Sequence, residues 1–287
     1  MRVLISADME GTCGVVSQAQ ITPPDVAARR GIAAAPGDYE WARRMMVAEV
    51  NAAIQGALVA GAKEVYVNEA HDAMRNLLPE DLHPAAFLIT GAHKPLSMMQ
   101  GVDEADIQAV VYTGYHAKAG TPAGVLAHTY TGFVRDLRIG NVSVGEYGLN
   151  AAVAGHFGVP VVAISGDDKA VVQARSLLGE SLAGVVTKRG LSSTAAVHRH
   201  PAKAREAITH AVREGVVRRG EARLYRLEPG TPVEVAVDSP QRADLGMLVP
   251  GVRRSGDTAL TFAVDDGLEL MRLWRLLLNL LMNREPI

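Results

Sequence analysis

Apolar positions along this chain alternate between two periods, and the alternation predicts the order of its elements. The run that begins at Arg2 is rich in Val, Leu and Ile and reads as a buried strand. It closes on two carboxylates, Asp8 and Glu10, whose spacing would send both from one face of a strand. A long excursion over residues 12–36, marked by Pro23, Pro24 and the Arg29-Arg30 pair, predicts surface structure of the kind that forms lids and binding loops. Asp38 is the expected N-cap of a helix in which Val47, Val50, Ile54 and Leu58 recur at helical spacing until Gly61. A strand over 64–68 follows, completing a β-α-β unit and emptying into His71.

The same grammar continues. Residues 86–90 and 107–113 predict strands, the second emptying into His116. An extended piece over 125–129 carries His128, and Gly140-Asn141 marks a hairpin that delivers Glu146 to the start of a helix. A strand over 159–165, a helix capped by Asp167 and a strand over 185–187 complete the half. Strands alternating with helices predict an α/β fold with a mostly parallel sheet flanked by helices. Beyond about residue 190 the composition shifts to a basic helix over 201–219, strands over 233–237 and 260–264, and a leucine-rich helix over 268–282. This predicts a catalytic α/β domain over 1–190 and a smaller C-terminal α+β lobe over 191–287.

Five residues able to bind metal therefore stand at or near strand ends: Asp8, Glu10, His71, His116 and Glu146. In open α/β sheets the ligand site lies at the carboxyl ends of the strands, where residues distant in sequence meet. Imidazole with carboxylate suits zinc and its first-row neighbours, and five ligands fit two ions sharing one carboxylate better than one ion with an open position. Each residue taken singly also has an ordinary explanation: Asp8 as a turn cap, the histidines as hydrogen-bonded structural groups, Glu146 as a helix N-terminal carboxylate. His128 would be a sixth ligand, and reads instead as a group that moves protons, orients the attacked carbonyl or attacks it, or as a structural histidine. His83, His93, His156, His198, His200 and His210 have no partners in view.

Composition narrows the partners. A net charge of −2 over 287 residues, with no basic block interleaved with aromatics, predicts no nucleic-acid surface. Arg272 and Arg275 interrupt the late leucine-rich segment, so no membrane span is expected. The lone Cys13 implies no disulfide framework and, with a chain that opens directly into a strand, a cytoplasmic protein; the thiol itself reads as inert packing.

The ordered set Ser6-Ala7-Asp8-Met9-Glu10-Gly11, Val67-Asn68-Glu69-Ala70-His71, Leu82-His83-Pro84, Gly114-Tyr115-His116-Ala117, the His128 segment, Val144-Gly145-Glu146-Tyr147-Gly148-Leu149-Asn150 and Ser165-Gly166-Asp167-Asp168 resembles the zinc D-aminopeptidase family associated with bacterial dipeptide-transport operons. The resemblance covers most of the first 190 residues. It implies two Zn2+ per chain, bridged by Asp8 and completed by Glu10, His71, His116 and Glu146, with His128 at the family's catalytic histidine position. It further implies a homo-oligomeric ring, a decamer of two stacked pentamers, that releases N-terminal D-residues from short peptides such as D-Ala-D-Ala. The 12–36 region is longer than the family's usual connection, and His116 to His128 is one residue wider. Two other readings stay open: a dimetal amidohydrolase of another small amide, and a metal- or ligand-binding protein without turnover. A nucleotide-binding domain would need a Gly-rich fingerprint after the first strand, and none follows.

Overall fold

A computed structural model describes residues 1–282. In chain order, β1 (Arg2–Ala7) leads through α1 (Gln18–Ile21) and α2 (Pro24–Arg29) to α3 (Asp38–Val59), β2 (Glu64–Glu69), β3 (Ala86–Ile89) and β4 (Ile107–Tyr115). The hairpin β5 (Val134–Ile139) and β6 (Val142–Val144) opens into α4 (Glu146–His156), then β7 (Val161–Asp167), α5 (Asp168–Leu178) and β8 (Ala183–Ser192). The remainder comprises β9 (Ala195–His198), α6 (Pro201–Val217), β10 (Thr231–Val237), α7 (Pro240–Gly246), β11 (Arg253–Gly256), β12 (Ala259–Val264) and α8 (Gly267–Met282).

Seven strands form the main sheet in the order β3-β2-β1-β4-β7-β8-β9. All neighbours pair in parallel except β8 with β9, which makes this the mostly parallel α/β sheet that the alternating pattern predicts. Strand order reverses between β1 and β4, so a crevice opens beyond their carboxyl ends. The pleat sorts β1 between two cores. Val3 and Ile5 face the layer of α3 and α6, while Leu4 faces the layer built from α4, α5 and α8. Apolar alternation is absent from β1, β4 and β7 because both faces are covered.

The chain changes sheets earlier and later than its composition does. An antiparallel second sheet, β11-β12-β10-β5-β6, takes its hairpin from residues 134–144 and its other strands from the C-terminal third. Conversely β9 and α6, beyond residue 190, belong to the main layer: β9 extends the parallel sheet, and Ile208, Val212 and Val216 of α6 pack with α3. Two local expectations also shift. Gly37, in the left-handed region, is the N-cap of α3, and Asp38 instead accepts a hydrogen bond from the Ala35 N–H. Residues 125–129 form no strand: a turn at 125–126, with Leu126 at φ +53°, leads to an isolated bridge between Thr129 and Thr131.

Candidate metal centre

The ends of β1 and β4 are locked together by close backbone approach. Asp8 N–H donates to the Thr113 carbonyl at 2.8 Å and Gly11 N–H to the Gly114 carbonyl at 2.7 Å. A Cβ on Gly11 would lie 1.9 Å from the Tyr115 carbonyl oxygen, and one on Gly166 2.0 Å from the same atom, so two glycines clasp that carbonyl. The strand ends at Ala7; Asp8 and Glu10 therefore converge through the turn that follows it, not along a strand face.

Lys188 of β8 holds that turn from beneath. Its buried ammonium donates to the carbonyls of Glu10, Thr12 (3.0 Å) and Val15 (2.5 Å). Beside it the Thr187 hydroxyl donates to the carbonyls of Gly11 and Gly166, or is shared between them, at 2.6 and 2.9 Å. Neither residue announces itself in the sequence. The thiol of Cys13 is buried on the Arg199 carbonyl at 2.9 Å and pushed up to about 11, chiefly by burial, so it packs inertly as expected.

All five residues singled out as ligands come together, each at most 5 % exposed. His71, delivered by β2, sets Nδ1 2.9 Å from Glu10 Oε2 and 3.5 Å from Asp8 Oδ1. His116, delivered by β4, sets Nε2 3.6 Å from Asp8 Oδ2 and 3.3 Å from Glu146 Oε1, at the first turn of α4. Asp8 thus stands between two imidazoles, one on each oxygen. His128 lies over the cluster, with Nε2 3.8 Å from Glu10 Oε1 and 3.7 Å from Glu146 Oε1. The far nitrogen of each ring meets a backbone carbonyl: His71 Nε2 at Ile21, His116 Nδ1 at Ala117 and His128 Nδ1 at Leu126, at 2.8, 2.9 and 2.9 Å. A carbonyl only accepts, so each ring donates there and keeps its near nitrogen for the cluster.

The electrostatics describe a cluster short of positive charge. Burial, reinforced by Glu10, pushes Asp8 up to about 7. Burial also opposes the charge of Glu10 and Glu146, yet His71 holds the first well below the usual carboxylate range and His116 lowers the second. Against burial, the same carboxylates hold His71 and His116 well above the ordinary histidine value. His128 goes the other way, lowered by burial and by the charge of His116. Protons on two imidazoles here occupy the place that a cation can take, and a metal would displace them. Two buried atoms, Asp8 Oδ2 and His116 Nε2, lack any hydrogen bond, which fits an ion between them. Three donor triads have atoms within 4.8 Å of one another: Asp8, Glu10 and His71; Asp8, His116 and Glu146; and Glu10, His116 and His128.

Two cavities meet at this cluster. One, of about 270 Å3, is lined by the acids Asp8, Glu10, Asp72 and Glu146, by His128, and by the cations Lys94 and Arg275. The second, of about 480 Å3, is lined by Gln18, Ile21, Thr22 and Arg30, so the 12–36 excursion does border the site. His93, which has no partner in the sequence pattern, lies on the first cavity's wall. Eight non-glycine residues among those described have left-handed φ, and five of them, Asp72, Met74, His93, Ser97 and Tyr130, line that cavity.

A family profile described as D-aminopeptidase matches residues 1–276. A D-aminopeptidase of Bacillus subtilis is 36% identical over 275 residues, which cover 94% of this chain and 93% of the relative. A solved structure described as the zinc-dependent D-aminopeptidase DppA from Bacillus subtilis, a self-compartmentalizing protease, matches with a TM-score of 0.90 at 31% identity over 100% of both chains.

Proposed function

Because the chain belongs to the D-aminopeptidase family, we propose that it is a zinc-dependent aminopeptidase that cleaves short peptides bearing an N-terminal D-residue, such as D-Ala-D-Ala. The observation that carries this reading is the placement of Asp8, with one oxygen toward His71 and the other, unpartnered, toward His116. Asp8 would bridge two zinc ions, Glu10 and His71 completing one shell, and His116 and Glu146 the other. When bound, the pair supplies a water of lowered pKa and polarises the scissile carbonyl.

The chain's own residues do the rest. Peptide enters from a cavity whose cluster end is buried, which excludes bulk water from the reacting bond. His128 is a quarter exposed and presents Nε2 to the cavity with its proton on Nδ1. Held below the ordinary histidine value, it is neutral near pH 7 and can take a proton at Nε2 and return it to the departing amine. Attack by the same nitrogen is the second use of that lone pair.

The ring assembly implied by the family resemblance, of ten copies, belongs to the same proposal and is supported by a relative described as self-compartmentalizing. The free, buried Cys13 supports a site of action in the reducing cytoplasm. Among the described residues no helix is long and apolar enough to cross a membrane.

Elemental analysis of the purified chain, with hydrolysis of D-Ala-D-Ala and L-Ala-L-Ala before and after chelation, tests the reading. About two zinc-type ions and chelator-sensitive cleavage of the D-peptide are expected. Two ions without cleavage would redirect the search to other small amides, and failure to bind metal on reconstitution would overturn the proposal.

A further inference from the structure

The first cavity contains two cations that the cluster does not use. Lys94 is 8% exposed, and its ammonium donates to Asn68 Oδ1 at 2.6 Å and to the Glu69 carbonyl at 2.5 Å, both neutral acceptors. The Glu69 carboxylate is turned away, engaged by the backbone N–H groups of Asn76 and Leu77 and by the Thr90 hydroxyl. Lys94 therefore has no ion-pair partner among the described residues, and one of its three protons lacks a protein acceptor. Buried lysines are rarely left unpaired, because the uncompensated charge is costly.

Arg275 faces the same cavity from α8. Burial of Leu270, Trp274, Leu277 and Leu278 fixes that helix, and Trp274 packs edge-on against Tyr130 of the cavity wall at 5.5 Å. The guanidinium is half-buried and has no hydrogen bond or ion pair among the described residues. Two cations without an ion-pair partner among the described residues thus line the same cavity as four carboxylates, Asp8, Glu10, Asp72 and Glu146.

We propose that Lys94 and Arg275 form a carboxylate-binding subsite that takes the free C-terminal carboxylate of a dipeptide substrate; this rests on the peptidase reading above. Two considerations converge on it. An anion entering a cavity walled by Asp8, Glu10 and Glu146 needs cations to hold it, and ammonium and guanidinium groups form strong charge-assisted hydrogen bonds with carboxylate. A substrate carboxylate is itself a good metal ligand, so anchoring it on Lys94 and Arg275 leaves the peptide carbonyl, not the terminus, to the cluster.

The test compares D-Ala-D-Ala with its C-terminal carboxamide, using the full-length zinc-loaded protein and the variants R275Q and K94Q. For the unaltered protein, kcat/KM for the acid should exceed that for the amide by roughly 10- to 100-fold, carried by KM, as expected for a hydrogen-bonded charge pair. In R275Q that ratio should fall to within a few-fold of unity, and K94Q should lower it likewise. Arg275 is half-buried on a helix surface, so R275Q keeps the test decisive even if K94Q does not fold. Equal turnover of acid and amide by the unaltered protein, or a ratio unmoved in R275Q, overturns the subsite alone. No turnover of either substrate overturns the peptidase reading and the subsite with it.

Discussion

The imidazole of His128 stacks on that of His116, with ring centroids 4.1 Å apart and planes 9° from parallel. A protonated His116 thereby lowers His128, and a metal at His116 would do the same by placing positive charge near its neighbour. Replacing His128 by Ala should leave bound metal nearly intact and lower kcat by roughly 10²- to 10⁴-fold, the range of a lost acid or base. Metal content and steady-state kinetics measured on one preparation check both halves. Undiminished turnover would remove His128 from the chemistry.

Asp8 and His71 should behave differently on loss. Asp8 sits between both imidazoles, so Asp8→Ala is expected to abolish binding of both ions. His71 approaches only the Asp8 and Glu10 side, so His71→Ala should weaken one ion and spare the other. Metal titration followed by elemental analysis separates the two; equal stoichiometry in both variants would rule out a shared carboxylate.

Lys188 reaches the centre only through the backbone of the Glu10 turn. Lys188→Met leaves three carbonyls without their donor and should cost about 3 kcal/mol or more in urea denaturation. Metal affinity should also fall by roughly 10- to 100-fold, as when outer-shell partners of other sites are removed. A variant that is destabilised yet binds metal as tightly as before would mean that the turn holds its shape unaided.

Glu49 gives the stability curve a definite slope. Its carboxyl accepts the Cys13 N–H at 2.8 Å, leaves Oε2 buried without a partner, and is pushed up to about 7, chiefly by burial, from an ordinary 4.5. Between those values the folded chain keeps a proton that the unfolded chain has lost. The stabilisation is thus complete below about pH 4.5 and lost as pH rises to about 7, by at most about 3 kcal/mol. Glu49→Gln cannot lose that proton, so denaturation of the two proteins across this window should show the unaltered chain losing ground with rising pH. Parallel curves would count against the assignment.

What the sequence discloses and what it hides divide along physical lines. Apolar runs that empty into His71 and His116 mark β2 and β4 directly: Val65 and Val67 flank Tyr66 in β2, and β4, covered on both faces, reads as a nearly unbroken apolar stretch. The carboxyl-end rule then brings those histidines to Asp8 and Glu10 without further information. The second sheet was not legible, since pairing β5 with β10 joins residues almost a hundred positions apart and nothing local specifies it. β11, whose residues are all exposed, has no apolar signal, and β9 is a short, mainly exposed edge. Lys94, Lys188 and Arg275 are single cations in a chain with 29 lysines and arginines; burial distinguishes the two lysines, and the cavity beside it distinguishes Arg275.

The left-handed residues along the cavity wall have a consequence for how the molecule ages under heat. Asp72, Met74, His93, Ser97 and Tyr130 each hold a backbone shape that side chains disfavour, at about 1 kcal/mol or more apiece, and surrounding packing and hydrogen bonds enforce it. The cavity's contour is therefore on loan from the rest of the fold. Warming that loosens α8 against Tyr130 would let that residue relax toward ordinary geometry while the parallel sheet stayed intact, so function would fade before the structure visibly melts.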